Sequence, residues 1–521
     1  MYSIESLYSP YLGLFLLLFV SCVALIQFSK PTHLKWSPGT KRWLMPPGPP
    51  GVLVLGNLPQ MMQARRGALS FVKWLASLTS YGEMVTLQMG SKTWIVLNSD
   101  RVVSEIIAKR GRITNERPHM PVASDIVSNG KRTVIRQEEQ WREGRRVMHQ
   151  LLSGSNLQMY ADLQELESVD MLRRYLREPN LWFAHNYRYA TSALYRIIMG
   201  YPLSKTRAQL DDYQRVTMEF VTSINRSYVD FFPLVSQLPH FLQPWRPFWA
   251  QMGSFHRCVF QEWWKPIKTA VSNGSAPPSF VRDVLLHPDV KYSGDDEEAM
   301  YLATSVLAAG SDNTRMAMNV FVMAMVTRPE AQSRAREEVD RVCTDGDTLR
   351  LPQLSDLSAM PYVAAMTKEV LRWRPTVPLI PQHQLIEHLE FDGHFIPAGT
   401  SFLINSVGLS SEFDNGHEFQ PERWINGSGA DKTPNFWGFG GGRRICVGWK
   451  VAEQALFIAY ARLLYCFELS PNGPIDDERL NHQTLNEPFP VKPTVRSAEH
   501  ASLIEEEASK YETSFSTFGA K

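Results

Sequence analysis

Phe439-Gly440-Gly441-Gly442-Arg443-Arg444-Ile445-Cys446-Val447-Gly448, near the C-terminus, is the stretch around which the rest of the chain is arranged. Three consecutive glycines admit backbone conformations that a Cβ forbids. Such a loop can lie close against a flat ligand with its N–H groups turned inward. Cys446 follows two arginines and precedes an apolar run that predicts a helix starting near Val447. A helix N-terminus and neighbouring cations both favour thiolate over thiol, and a thiolate is a metal ligand. No second Cys or His stands nearby, which excludes a zinc site with its three or four protein ligands. One thiolate suits a metal whose other positions are already filled, and iron in a porphyrin is that case. The competing reading is a glycine loop whose Cys packs as a small hydrophobe.

The stretch resembles the haem-binding signature of the cytochrome P-450 family, F-x-x-G-x-R-x-C-x-G, with Phe439, Gly442, Arg444, Cys446 and Gly448 at its fixed positions. The resemblance implies heme b (iron protoporphyrin IX) as cofactor, with Cys446 as its axial thiolate ligand. Further motifs follow in the family's order. In Trp141-Arg142-Glu143-Gly144-Arg145 the Trp and the last Arg share a helix face. They match the family's W-x-x-x-R, where both contact a haem propionate. His383 falls where the family often has a propionate-binding His. Glu369-Val370-Leu371-Arg372 sets opposite charges at i and i+3. The family's E-x-x-R joins an Arg from a segment matched here by Pro421-Glu422-Arg423-Trp424. That implies a structural network of Glu369, Arg372 and Arg423, since buried charges hold only when paired.

Residues 300–326 read as one long apolar helix, broken by Ala309-Gly310-Ser311-Asp312-Asn313-Thr314. An Asp inside a buried helix is costly unless partnered, and Gly310 leaves room for a close approach. The stretch resembles the family's oxygen-binding groove, A/G-G-x-D/E-T-T. Asp312 matches the acid, Asn313 stands where the first Thr would be, and Thr314 fills the second position. Asp312, Asn313 and Thr314 are the candidate catalytic residues. Asp312 and Asn313 together are expected to organise proton delivery. Thr314 lies about 100° further round the helix and is a poor direct substitute.

Composition bounds the rest. A formal net charge of +1 over 521 residues gives no sign of a nucleic-acid surface, and 44% hydrophobic residues support a large core. Cys22, Cys258, Cys343, Cys446 and Cys466 are scattered without framework spacing, which argues for a reducing compartment. Residues 11–28 carry no charge, and ~18 apolar residues are enough to span a bilayer as a helix. Basic residues Lys30, Lys35, Lys41 and Arg42 follow the run, so the downstream side is expected to face the cytosol as an uncleaved signal-anchor. Pro46-Pro47-Gly48-Pro49-Pro50-Gly51 is stiff and non-helical. Residues 83–97 alternate as two strands around Gly90-Ser91. Residues 117–130 read as a loop, which in the family would cap the substrate pocket. Residues 210–264 read as helix interrupted by Pro233, Pro239, Pro244 and Pro247 and rich in aromatics. The family places its mobile lid there, part of it dipping into the membrane. Pro488-Phe489-Pro490 is expected to reach back to the pocket.

The expected organisation is a transmembrane signal-anchor (11–28), a basic, proline-rich hinge (29–59), a haem-binding catalytic domain (60–498) and a polar, disordered tail (499–521). The fold class is mostly α with a smaller β region, the cytochrome P-450 fold. The implied activity is monooxygenation of a lipophilic small molecule, in which one atom of O₂ enters the substrate and the other leaves as water. Without a fused reductase domain the chain looks like the microsomal class. Its electrons would come from an NADPH–cytochrome P-450 reductase, with cytochrome b5 as a further donor, at the endoplasmic reticulum membrane. The runs Gly310–Thr314 and Cys446-Val447-Gly448-Trp449 look most like fungal members that tailor secondary metabolites. Two alternatives stay open: a family member that rearranges, dehydrates or desaturates without inserting oxygen, which Asn313 allows, and a non-catalytic haem-thiolate binder.

Overall fold

The apolar run at 300–326 becomes the axis of the molecule. The computed structural model describes residues 45–518 apart from 153, 155, 288–291, 347, 426–434 and 477–486, so the anchor expected at 11–28 lies outside the described residues. In chain order, the helices that carry the argument are α1 (Glu138–Leu151), α2 (Asn156–Arg177), α3 (Trp182–Met199), α4 (Arg207–Ser223), α5 (Arg246–Ser272), α6 (Asp296–Thr327), α7 (Pro329–Cys343), α8 (Pro361–Trp373), α9 (Trp449–Cys466) and α10 (Ala498–Phe518). No helix among the described residues is long and apolar enough to cross a membrane.

A capping box starts α6. The Asp295 carboxylate accepts from the Glu298 N–H at 2.7 Å, and Glu298 accepts from the Asp295 N–H at 3.2 Å. Asp296, Glu297 and Glu298 fill the first turn, where the helix dipole favours negative charge. The C-terminal half of α6 is buried all round, and Phe321 stacks on Tyr460 of α9 at 4.0 Å between ring centroids. Residues from α2, α3, α7, α8 and α9 complete this main core. The expected break at 309–314 is absent, and α6 runs through it. Three of the polar side chains find partners inside the helix. Ser311 Oγ donates to the Ala308 carbonyl (3.3 Å), Asn313 Nδ2 to the Ala309 carbonyl (2.8 Å), and Asp312 pairs with Arg315 (2.6 Å).

The main sheet has the order β1 (Met84–Met89), β2 (Lys92–Leu97), β4 (Ser401–Ile404), β3 (His383–Gln384), β3 and β4 being numbered along the chain. β1 and β2 pair antiparallel from Met89↔Lys92 to Met84↔Leu97, as the alternation predicts, and Gly90 makes the turn at φ +60°. β4 runs parallel to β2 and antiparallel to β3. The proline-rich segment is no detached hinge. The Thr86 N–H donates to the Pro47 carbonyl (2.9 Å), and Asn57 Nδ2 donates to Pro49 (3.1 Å). A proline run lacks donors but keeps its carbonyls, and these carry the docking onto β1. Residues 47–57 are thus packed onto β1.

Three other expectations need correction. Residues 117–130 contain a wide helical turn, Pro121–Val127, which packs on α5 and lines the same side as α4. The tail is not disordered over its described part. α10 lays Ile504 and Ala508, both buried, against α2, and Glu505 takes two bonds from Arg177 at 3.0 Å. Two apolar residues four apart suffice to seat a helix whose other face is charged, and that stripe is easily lost in a polar sequence. Phe489 packs its ring on Trp182 of α3, 4.9 Å between centroids, and so joins the main core. The four prolines read as helix breaks lie between α4 and α5 or in the first turn of α5. The aromatics between them divide. Phe231, Phe232 and Trp249 turn inward, while Phe241 and Phe248 are exposed.

Candidate active site

Cys446 sits on the loop that leads into α9, two residues before the helix cap Gly448. Its N–H donates to the Phe439 carbonyl at 2.9 Å, which closes the glycine loop on itself. Glycine is required at two positions. Gly440 and Gly442 have φ +76° and +61°, and a Cβ on Gly442 would stand 2.5 Å from the Ile107 carbonyl oxygen. Phe439 anchors the loop to the main core and meets Phe436 edge-on. The Cys446 thiol lies deep among protein atoms, yet its surface is open. Depth pushes its pKa above the ordinary value, while the Gly448 N–H and Arg145 pull the other way. The cations and helix end expected to favour thiolate are present, but burial outweighs them.

A cationic cluster stands beside the loop. Arg444 lies 3.9 Å above the Trp141 ring, and Arg145 stands 5.7 Å from the same ring, one helical turn along α1. Arg444 Nε donates to the Asn115 carbonyl (3.0 Å), while its Nη1 and Nη2 are buried with no partner among the described residues. The polar side-chain atoms of Asn115 are likewise buried, with the Glu138 carboxylate as their neighbour. Burial lowers the Arg444 pKa to about 10. His383 is buried against this cluster, with Nδ1 3.1 Å from the Thr114 carbonyl. A carbonyl only accepts, so Nδ1 carries the proton and Nε2 is left as an acceptor. Burial, then Arg117 and Arg444, hold its pKa well below the ordinary range. Neutral His383 therefore takes a carboxylate only by gaining a proton. Sequence reasoning missed Asn115 and the buried Arg117, which donates to the Val134 and Pro381 carbonyls (3.0 and 2.8 Å). No local pattern marks either residue.

Unpaired guanidinium donors at this depth call for an anion. The donor set fits the two carboxylates of a porphyrin, with Cys446 supplying the single thiolate. Behind the loop, Glu369 is fully buried. It accepts from Arg372 Nε and Nη2 (2.8 Å each), Arg423 Nε (3.2 Å), Trp424 Nε1 (2.9 Å) and the Gln420 N–H (2.7 Å). The structure thus brings Glu369, Arg372 and Arg423 together and adds Trp424. On α6, Ala309 is open, Ser305, Val306, Gly310 and Asn313 are part-open, and Asp312 and Thr314 are buried. What approaches Gly310 is a side chain: a Cβ there would lie 2.5 Å from Leu194 Cδ1 of α3.

The family model for cytochrome P450 matches residues 46–494. The chain belongs to the cytochrome P450 family. It is a haem-thiolate monooxygenase by that membership, with Cys446 at the position of the axial ligand. A cytochrome P450 monooxygenase of Hypocrea virens (virE) is 32% identical over 450 residues, covering 83% of this P450 and 80% of the relative. One from Armillaria gallica is 30% identical over 520 residues, covering 94% and 97%. A zebra fish cytochrome P450 solved with progesterone shares the fold at a TM-score of 0.66 and 23% identity, over 82% of this chain and 99% of its own.

Proposed function

We propose that this P450 is a membrane-anchored enzyme that inserts one atom of O₂ into a lipophilic intermediate of fungal secondary metabolism. Electrons come from NADPH through a separate reductase. The carrying observation is the conjunction of an open Cys446 in a closed glycine loop with the unpartnered Arg444 donors beside it. The fungal relatives support the metabolic assignment. When bound, the haem supplies activation of O₂. The chain's own residues do the rest. Cys446 would hold the iron, and Arg444 and Arg145 would hold the porphyrin's negative charge beside Trp141. The part-open stripe of α6 receives the substrate and the protons. The deciding experiment is turnover with reductase, NADPH and ¹⁸O₂ on extracts of a strain lacking the gene. Label in the product supports insertion. A product without label turns the reading to rearrangement or dehydration.

Electron supply gives a second test. Arg443 is half-exposed, 3.7 Å from Glu138, and Lys450 is exposed in the first turn of α9. An acidic partner would be drawn to this face, and exposed charge pairs weaken within a Debye length of about 8 Å at physiological salt. Stopped-flow reduction of the haem should slow several-fold as salt rises. A rate indifferent to salt counts against charge-guided docking.

Anchoring gives a third. Phe241, Phe248, Leu234 and Leu53 are exposed large hydrophobics, and a membrane surface would cover them. Deleting residues 1–29 should release much of the protein from microsomes, with residual binding through these exposed side chains. A mature N-terminus beyond Phe28 would instead reveal a cleaved signal peptide.

A further inference from the structure

Arg132, in the segment that leads into α1, is only 2% exposed. Its guanidinium carbon stands 4.1 Å from the centre of the Phe220 ring on α4 and 4.8 Å from that of Phe260 on α5. Among the described residues its side chain makes one hydrogen bond, from Nη2 to His256 Nδ1 at 3.3 Å, and its Nε is buried with no partner. An arginine only donates, so His256 accepts through Nδ1 and donates through Nε2 to Glu219 (3.0 Å). Burial, then Arg132 and Arg215, push the His256 pKa down to about 3, so the ring is neutral. Glu219 is shared with Arg215 at 2.8 Å and lies beyond the imidazole. The phenols of Tyr301 and Tyr213 face Arg132 as well, and burial pushes both up, so neither supplies a charge. Burial lowers the Arg132 pKa to about 10, which keeps it charged at neutral pH. A buried cation is thus left with no carboxylate in contact, an arrangement that costs stability until an anion arrives.

The protein's own acids are committed elsewhere. On the surface outside Arg132, Lys131 and Arg257 both pair with Glu297 (2.9 and 2.6 Å), and Arg136 pairs with Glu298. These pairs close the seam between residues 131–136, α5 and the first turn of α6. The inner side differs. Tyr301, Ser305 and Ala309 follow at four-residue steps on one face of α6. Tyr301 meets Phe260 edge-on at 5.3 Å. Ser305 is part-open, its Oγ buried with no partner, and Ala309 is open. Eight residues at ~1.5 Å each set Ala309 some 12 Å along the helix from Tyr301. Met120, Ala123 and Ile135 cluster with Phe220 and give the same region an apolar wall.

We propose that Arg132 is a specificity-determining residue that binds a carboxylate of the substrate, so that this P450 acts on a lipophilic acid whose oxidised carbon lies about 12 Å from the carboxylate. The inference rests on the monooxygenase reading above and names its substrate class. A guanidinium offers a carboxylate two parallel N–H donors, and the Phe220 and Phe260 faces keep water from the pair, which strengthens it. The apolar body of the acid would lie along α6 toward Ala309. Ser305 Oγ would serve an oxygen part-way along it.

The test is calorimetric binding of dodecanoic acid and of its methyl ester to the full-length, haem-loaded protein without NADPH. The extended acid is longer than the span between Arg132 and Ala309. The unaltered protein should bind the acid about tenfold or more tighter than the ester, the low end for a hydrogen bond to a charged group. Raising the salt should leave that preference unchanged, because a buried pair is little screened, whereas an acid held by an exposed cation would be released. Arg132→Gln should erase the preference and leave ester affinity within about twofold. Should that variant fail to accumulate, Arg132→Lys keeps the charge without the planar fork, and it should weaken the acid several-fold with the ester unchanged. Equal affinity for acid and ester in the unaltered protein overturns the proposal. So does failure of the acid to bind, a preference that salt abolishes, or one that Arg132→Gln or Arg132→Lys leaves intact. The binding needs no electrons, so the two readings fail separately. Acid-selective binding without ¹⁸O-labelled product rejects oxygen insertion and leaves the role of Arg132 standing, and labelled product from a protein that does not prefer acids does the reverse.

Discussion

Cys446→Ser should abolish the thiolate-type absorbance of the reduced, CO-bound protein and bring product formation down to the level of a reaction without enzyme. The reasoning starts from the thiol's surroundings. Burial raises its pKa, so the metal must displace the proton, as metal ligation by a thiol does outright. A serine hydroxyl is far harder to deprotonate and leaves the iron without a strong donor on that side. The rest of the pocket would persist: the glycine loop closes through backbone bonds, Cys446 N–H to Phe439 carbonyl and Gly440 N–H to Trp437 carbonyl, both 2.9 Å. Haem content should therefore fall less than activity, because Arg444, Arg145 and Trp141 still offer their faces. A thiolate-type spectrum that survives in Cys446→Ser would show that another residue ligates the iron.

What could be read without coordinates had short-range causes. The glycine loop, the β1–β2 hairpin and the E-x-x-R pair each depend on residues within one turn or one hairpin, so their spacing reports their geometry. Arg315 had the same i, i+3 signature toward Asp312 as Arg372 has toward Glu369, and it was legible on that ground. The family pattern names the acid and says nothing of its partner. Asn115 and Arg117 were illegible for another reason. Their contacts, to Arg444 and to the Pro381 carbonyl, cross more than 260 residues, and no local period anticipates such a meeting. Gly310 shows an intermediate case. The absence of a side chain predicted a close approach, but only the packing of α3 on α6 reveals that Leu194 makes it.

Glu369→Ala should destabilise the protein more than any substitution on its surface. Glu369 is fully buried, and its two carboxylate oxygens serve Arg372, Arg423, Trp424 and the Gln420 N–H. Arg372 in turn donates to the Gly416 and Glu418 carbonyls at 2.7 Å each and to Ser410. The carboxylate thus ties α8 to the 410–424 segment that leads toward the glycine loop. Truncation leaves two guanidinium groups and an indole N–H facing a hole. Removing one partner of a buried pair costs about 3–5 kcal/mol, a large part of a total stability of about 5–15 kcal/mol. The haem-loaded protein should accumulate poorly and lose its thiolate-type spectrum on mild warming. Glu369→Gln keeps an acceptor but leaves the cations unneutralised, so it should fall between Ala and the parent. Arg423→Ala should be milder, about 1.5–3 kcal/mol for a hydrogen bond to a charged group, because Arg423 offers Glu369 only its Nε. Thermal unfolding of the three variants checks the order. Equal losses for Glu369→Ala and Arg423→Ala would mean that Arg423, not the carboxylate, is the centre of the network.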